Sequence, residues 1–398
     1  MTRLAILTAG SSTHTKGIMN FVCEEYRQLK KKENESFQVY LFMIRIKESW
    51  LLRLAIKLIK GKVEELPPDD GASSFERDGV VFNNIWIKES FFSWWWRTRI
   101  THSQISDKNF RKVMGRLRDY SYILTHKTIS QYVGMKIYYE LGIPFGAFWH
   151  GSELSTIASE NQYSQLLTKQ ILESSHDNFF VSKWLLQKSK AFSSDSSNNH
   201  VIYTGPSDLF YNYSPEQKSR LRTGYGVSDE DIVVAYAGNL IPIKNVLLLP
   251  SLFQKIAEKC PNKHFKFWII GNGELEVELR EALIRTGLDF KMHGKVSPSK
   301  MPDFMNCINV LLLISKNEGL GLVCLEAMRC GAIAFGSLVG GIPEVIGNDY
   351  CVTLDDDFIN NLSEKIVDAI RNNKRNTYDE SVFSWQKAID TIMNCVGV

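Results

Sequence analysis

Short apolar runs recur along this chain, most of them closed by a glycine or a polar turn that leads into a segment of helical period. Residues 4–7 end at Gly10, and a helical pattern starts near Gly17-Ile18. Residues 39–43, 122–124, 145–149 and 178–182 repeat the unit, the last leading into a helical stretch over 183–191. A second series runs through 232–236, 266–271, 290–294, 310–314 and 333–335. Strands that alternate with helices pair through crossovers, which gives parallel sheets covered on both faces. The expected fold class is therefore α/β, with two doubly wound parallel-sheet domains facing a central cleft and a ligand at the carboxyl ends of the strands. The polar stretch 193–199 and the turn Thr204-Gly205-Pro206-Ser207 separate the two series, so the expected domains are 1–205 and 206–376, followed by a helical tail.

Composition narrows the possibilities. A chain of 398 residues is long enough for two sizeable cores. Hydrophobic content of 44% and charged content of 23% are those of a globular protein. A net charge of +3 is too small to argue for nucleic acid. The seven cysteines are odd in number and scattered without a Cys-x-x-Cys, so neither a disulfide framework nor a zinc site is expected, and a reducing cytoplasm fits. The N-terminus turns polar too soon for a signal peptide, and no apolar run is long enough to span a bilayer.

The segment Lys316-Asn317-Glu318-Gly319-Leu320-Gly321-Leu322-Val323-Cys324-Leu325-Glu326-Ala327-Met328 lies between the apolar run 310–314 and a helical pattern. It sets one glutamate in the loop and another about two turns into the helix, up to ~12 Å apart at ~1.5 Å rise per residue. The glycines between them leave the first helical amides open to an anion, which the helix dipole favours. Carboxylates at both ends with phosphate donors between them suit a nucleotide-sugar.

Downstream come Cys330-Gly331, the strand-like Ile333-Ala334-Phe335, and Gly340-Gly341-Ile342-Pro343-Glu344. The whole block resembles the C-terminal motif of retaining nucleotide-sugar glycosyltransferases of family 4, the group 1 glycosyl transferases with two Rossmann-like domains (the GT-B type). In that family two glutamates separated by seven residues are followed by Ala-Met, Cys-Gly and Gly-Gly-Ile-Pro-Glu. The resemblance is strong from about Val233 to Glu344 and mostly architectural over the N-terminal half. It implies that the first domain binds the acceptor, the second binds the donor, and the last helix, within 377–398, packs back onto the first domain.

Further residues fall on the family's pattern. The stretch Ala237-Gly238-Asn239-Leu240-Ile241-Pro242-Ile243-Lys244 resembles a loop whose arginine and lysine neutralise the diphosphate. Lys244 takes the lysine position. Asn239 stands where the arginine would be, and an amide carries no charge and makes no guanidinium fork, so either another cation substitutes or the diphosphate is held differently. Gly271-Asn272-Gly273 is a weak mononucleotide-type turn. His293-Gly294-Lys295 matches a segment whose main chain reads the base, with Lys295 as readily solvated as functional. In the N-terminal half, His150-Gly151 ends an apolar run and resembles the motif that approaches the donor sugar, with Glu153 close behind. Gly10 and Gly17 bound a loop that resembles the donor-and-acceptor loop, which also carries His14 and Lys16.

The resemblance implies catalytic roles for Glu318 on sugar hydroxyls, Lys244 on phosphate and His150 near the reacting carbon. It implies donor binding by Gly17, Gly238, Asn239, Gly271, Gly294, Gly319, Leu320, Gly321, Leu322 and Val323, with Glu326 on the ribose. The expected reaction moves a hexosyl or N-acetylhexosaminyl unit from a nucleoside diphosphate sugar, UDP foremost, to a hydroxyl with retention. No cofactor or metal is expected, and Asp355-Asp356-Asp357 reads as solvated loop acid. The stretches 50–60 and 91–99 mix apolar or aromatic residues with cations, as elements lying on an anionic membrane surface do. They point to a glycan or lipid-linked acceptor in cell-surface polysaccharide assembly (lipopolysaccharide or capsule), at the cytoplasmic face of the membrane. The alternatives are a nucleotide-sugar-binding protein without transferase activity and a nicotinamide-dependent oxidoreductase. The latter lacks the Gly-x-Gly-x-x-Gly spacing after its first strand.

Overall fold

The computed structural model describes residues 1–10, 16–60, 70–90, 95, 104–157, 161–194 and 197–398. These divide into two compact units: 1–202 together with 385–398, and 203–384. Most of the stretch 91–99, together with His14, lies outside the described residues.

The first unit is built on an eight-stranded sheet of order β3-β4-β2-β1-β5-β6-β7-β8. Its strands are β1 (Thr2–Ala9), β2 (Phe37–Glu48), β3 (Ser74–Arg77), β4 (Val80–Glu89), β5 (Tyr122–His126), β6 (Phe145–Trp149), β7 (Asp177–Phe180) and β8 (Asn199–Val201). All neighbours run parallel except the edge hairpin β3–β4, which departs from the all-parallel expectation. Helices cover both faces of a parallel sheet, and the strands respond with unbroken apolar runs. Leu4, Ala5, Ile6 and Leu7 of β1 are fully buried in this way. The C-terminal helix Trp385–Val396 belongs to this unit and packs beside the helix Lys16–Lys30.

The second unit carries a six-stranded parallel sheet of order β11-β10-β9-β12-β13-β14. The strands are β9 (Ile232–Ala237), β10 (Phe265–Ile270), β11 (Phe290–Gly294), β12 (Val310–Leu313), β13 (Ile333–Ser337) and β14 (Cys351–Val352). One face packs on the helices Leu249–Lys259 and Phe358–Asn372, where Phe253 stacks on Phe267 at 4.4 Å between ring centroids. Each such side chain contributes ~1.5–3 kcal/mol by leaving water. Arg222 is buried and has its charge spread over acceptors: it donates to the carbonyls of Cys307 and Ser228, both at 2.8 Å, and to Asn309 Oδ1 at 3.1 Å. Those bonds fix the helix Pro215–Gly224 to the loop that enters β12. Among the described residues no helix is long and apolar enough to cross a membrane.

Candidate functional site

In the second sheet the chain winds outward from β9 to β10 and β11 on one side, and from β12 to β13 and β14 on the other. The reversal lies between β9 and β12, whose neighbouring residues include Tyr236 and Leu312. Helices leave opposite faces there, so the loops after the two strands part and open a crevice at their carboxyl ends. The loop after β9 carries Gly238, Asn239 and Lys244; the loop after β12 carries Glu318, Gly319, Leu320 and Gly321.

The two loops are joined twice. Lys316 N–H donates to Ile243 O at 2.8 Å. Lys244 Nζ meets Glu318 Oε2 at 2.6 Å, with the side chains 21% and 19% exposed. Ser315 Oγ adds a longer contact to the same oxygen, 3.4 Å. Lys244 ends a 3-10 turn, Pro242–Lys244, closed by Asn245 in the left-handed region at φ 57°. Pro242 pre-sets the turn's φ and Asn245 tolerates its reversal.

Two glycines make this packing possible. At Gly340, with φ 61°, a Cβ would lie 2.0 Å from Glu318 O. The Gly-Gly of the downstream motif therefore acts by letting the loop backbone press against Glu318, whose carbonyl also accepts Gly341 N–H at 3.1 Å. At Gly271, with φ 138°, a Cβ would lie 1.8 Å from Gly238 O. Gly238, Gly271 and Gly294 are chained through Gly238 N–H to Ile270 O at 2.9 Å and Gly271 N–H to Gly294 O at 2.8 Å. These three predicted positions thus meet at the ends of β9, β10 and β11.

The helix after β12 spans Leu322–Arg329, with Gly321 as a cap that offers no side-chain acceptor. Among the described residues none of the amides of residues 319–323 donates to an acceptor in the chain. Gly319 and Leu320 are nevertheless buried. Buried amides in folded proteins are overwhelmingly paired, so an unpaired run at a helix start, buried over residues 319–321 and partly buried at 322–323, is of a kind that suits an anion.

Glu326 lies just over one turn into this helix, since the helix begins at Leu322; the two turns expected from the sequence overcounted by including the loop. Its carboxyl is partly buried, makes no hydrogen bond or ion pair among the described residues, and is pushed up to about 8 by burial. Asn239 holds its backbone carbonyl against Tyr236 Oη at 2.8 Å. Lys316 is exposed, and its backbone bond to Ile243 brings a second lysine to the place where the two loops meet. Asp355 Oδ1 accepts the N–H of its own neighbour Asp357 at 3.1 Å, in an exposed turn.

His150 and Gly17 belong to the first unit. Gly17 is exposed near the start of the helix Lys16–Lys30, with open space where a Cβ would stand. His150 follows β6, and its Nε2 is 3.0 Å from Nδ1 of His126, the last residue of β5. Glu25 Oε2, from the helix Lys16–Lys30, lies 2.8 Å from His126 Nε2, off the axis along which the ring N–H would donate. Glu153 is buried and accepts the N–H of His150 at 3.2 Å and of Gly151 at 3.0 Å, so it shapes the turn. Neither Glu25 nor His126 carries a sequence signal of its own, except that His126 ends an apolar run as His150 does. Elsewhere in this unit Asp177 Oδ1 of β7 is 2.9 Å from Nε2 of His200 on the edge strand β8, which lies 3.5 Å from Cys395 Sγ of the C-terminal helix, a self-satisfied hydrogen-bonded group.

Residues 217–382 match the family model for glycosyl transferases group 1. That match lies within the second unit. Over 197 residues the chain is 24% identical to N-acetyl-alpha-D-glucosaminyl L-malate synthase of Bacillus anthracis, covering 50% of each chain. Over 193 residues it is 24% identical to the lipopolysaccharide 1,2-N-acetylglucosaminetransferase of Salmonella typhimurium, covering 44% of this chain and 50% of the relative. The chain spans about half the length of the curated relatives it matches. Its fold is shared more widely: the crystal structure of Anabaena HepE in complex with UDP and glucose gives a TM-score of 0.71 over 98% of both chains, at 16% identity. Two parallel-sheet α/β units are the architecture of GT-B glycosyltransferases.

Proposed function

We propose that the chain is a retaining glycosyltransferase that moves a hexosyl or N-acetylhexosaminyl unit from a UDP-sugar to a hydroxyl of a glycan or lipid-linked acceptor. The observation that carries this reading is the run of unpaired amides over residues 319–323, bracketed by the Lys244–Glu318 pair and the unpartnered Glu326. Amides and an ammonium suit a diphosphate, whose charge grows as the glycosyl bond breaks. Glu318 then meets sugar hydroxyls, and Glu326 accepts from the ribose hydroxyls. Lys244 and the amides supply the stabilising charge in this reading, so the reaction is written without a metal. Retention follows from front-face attack, in which no enzymic nucleophile is needed. HepE, solved with UDP, and the Salmonella relative favour UDP and a cell-surface polysaccharide role, lipopolysaccharide or capsule.

A lipid-linked acceptor is favoured by the helix Trp50–Lys60. Trp50, Leu51, Leu54 and Leu58 are exposed along one stripe, Leu52 and Ile56 are buried on another, and Arg53 and Lys57 lie between. An apolar ridge flanked by cations fits the interface of an anionic bilayer. Calorimetric titration with UDP, GDP, ADP and their hexose conjugates tests the donor assignment. Tight binding of the UDP series, weakened in Glu326→Ala, is the expected result; no binding to any of them overturns it.

A further inference from the structure

Tyr203 is the first residue of the second unit, and Glu344 closes the Gly-Gly-Ile-Pro-Glu motif 141 residues later. The Tyr203 phenol donates its O–H to Glu344 Oε2. The tyrosine end of this bond is fixed by packing. Its ring meets the buried Phe383 edge-on at 5.2 Å. The carbonyl of Phe383 accepts from Tyr378 Oη at 2.5 Å, and a Cβ at Gly205 would lie 2.8 Å from that oxygen. The start and the end of the unit are thus packed against each other.

The glutamate end leads into the candidate site. Glu344 belongs to the helix Ile342–Ile346, whose Ile342, Val345 and Ile346 are buried. Five residues make too few internal bonds to hold a helix, so its outside contacts set its place. Glu344 N–H donates to Gly341 O at 3.1 Å, and Gly341 N–H donates to Glu318 O at 3.1 Å. A Cβ at Gly341 would lie 2.3 Å from Gly319 O, so the two backbones touch. Tyr203 therefore holds Glu344, Glu344 holds Gly341, and Gly341 holds the carbonyl of the residue that meets Lys244. We propose that Tyr203 and Glu344 are positioning residues that, through Gly341, fix the Glu318 backbone where its carboxylate reaches the donor sugar. That Glu318 meets a sugar rests on the donor reading above; the tie from Tyr203 to Glu318 does not.

Amide hydrogen exchange and calorimetry on the same variants test the proposal. Tyr203→Phe keeps the ring on Phe383 and removes only the O–H. Glu344→Ala removes the acceptor, whereas Glu344→Gln keeps an amide oxygen in its place. Tyr203→Phe and Glu344→Ala are each expected to speed exchange of the Gly341 amide about tenfold, as for one hydrogen bond lost. Each is also expected to weaken UDP-hexose about tenfold, with a smaller effect on UDP. Their double variant does no worse than either alone, because both remove the same bond. Glu344→Gln stays near the wild type, a rescue that general loosening of the fold would not give. Core amides of β9 exchange at the wild-type rate throughout. Wild-type exchange at Gly341 in Tyr203→Phe, additive losses in the double variant, Glu344→Gln as impaired as Glu344→Ala, or equal loss for UDP and UDP-hexose overturns the proposal. If the wild type binds no nucleotide, the donor reading falls and the sugar role of this tie with it, while Gly341 exchange still decides whether the tie itself stands.

Discussion

Lys244 and Glu318, 74 residues apart in the chain, are joined Nζ to Oε2 at 2.6 Å across the reversal point of the second sheet. An ion pair at this exposure contributes at most ~1 kcal/mol to folding, so stability alone does not account for it. Its consequence is that the loops after β9 and β12 are tied, with the Lys244 ammonium at Glu318, before any ligand arrives. Lys244→Met is expected to leave the thermal midpoint nearly unchanged and to weaken UDP binding by about tenfold, ~1.4 kcal/mol, with one charge-assisted bond lost. Glu318→Gln is expected to spare UDP and weaken only the sugar conjugate. Calorimetry on both variants checks this; equal loss for UDP and its hexose conjugate in Glu318→Gln would contradict the division of roles.

Glu326 makes a proton signature measurable. Burial pushes its carboxyl up to about 8, so near neutral pH the free protein holds it largely protonated. Ribose hydroxyls donating to it favour the carboxylate and lower the value in the complex. Binding of UDP between roughly pH 6 and 8 is then expected to release up to about one proton, read as a dependence of the calorimetric heat on buffer ionisation. Glu326→Gln should abolish that dependence. The same shift has a folding consequence of definite sign. A folded-state value above the unfolded one makes Glu326 a group whose contribution falls as pH rises from about 4.5 to about 8. Glu326→Gln should therefore raise the thermal midpoint more at pH 8.5 than at pH 5.

The alternation of strands and helices is legible in the sequence because parallel strands buried on both faces must be apolar throughout, as residues 145–149 show; that run coincides with the fully buried β6. Gly271 and Gly340 are legible because only glycine tolerates the backbone approaches made there. The edge hairpin is legible too: Asp78-Gly79, both at positive φ, joins the antiparallel β3 and β4, and Asp-Gly between two strand-like runs is an established hairpin signal. The cap of the helix Pro215–Gly224, Ser214 paired with Gln217, is likewise written in Ser-Pro-Glu-Gln. The Glu25–His126–His150 line is not legible. It depends on which strand ends lie side by side, and strand order is a long-range property that no local spacing encodes.

Gly340 and Gly17 separate packing from mere proximity to the site. A methyl at Gly340 meets the backbone oxygen of Glu318, which cannot rotate away, and φ 61° adds strain. Gly340→Ala is expected to cost ~1–3 kcal/mol and to displace the 318–321 loop, lowering both the thermal midpoint and UDP affinity. Gly17→Ala meets open space in a helix start and should change stability by less than ~1 kcal/mol. If Gly340→Ala binds UDP as the wild type does, the Gly-Gly pair is not what sets the loop.

The helix Trp50–Lys60 offers the remaining test, because its exposed ridge has no role in the first unit's core. Trp50 is 73% and Leu58 79% exposed, values that leave nearly the whole side chain available to another phase. Partition into an interface gains from the apolar ridge and from Arg53 and Lys57 near anionic headgroups, ~1 kcal/mol for each cation. Sedimentation with vesicles containing anionic lipid is expected to carry the protein down at low salt. Neutral vesicles or high salt should release it, since the attraction is screened. Trp50→Glu combined with Leu54→Glu should abolish co-sedimentation while leaving UDP binding intact, because both residues lie in the first unit. Equal recovery on neutral and anionic vesicles would remove the electrostatic part of the argument, and no recovery on either would return the acceptor to a free glycan.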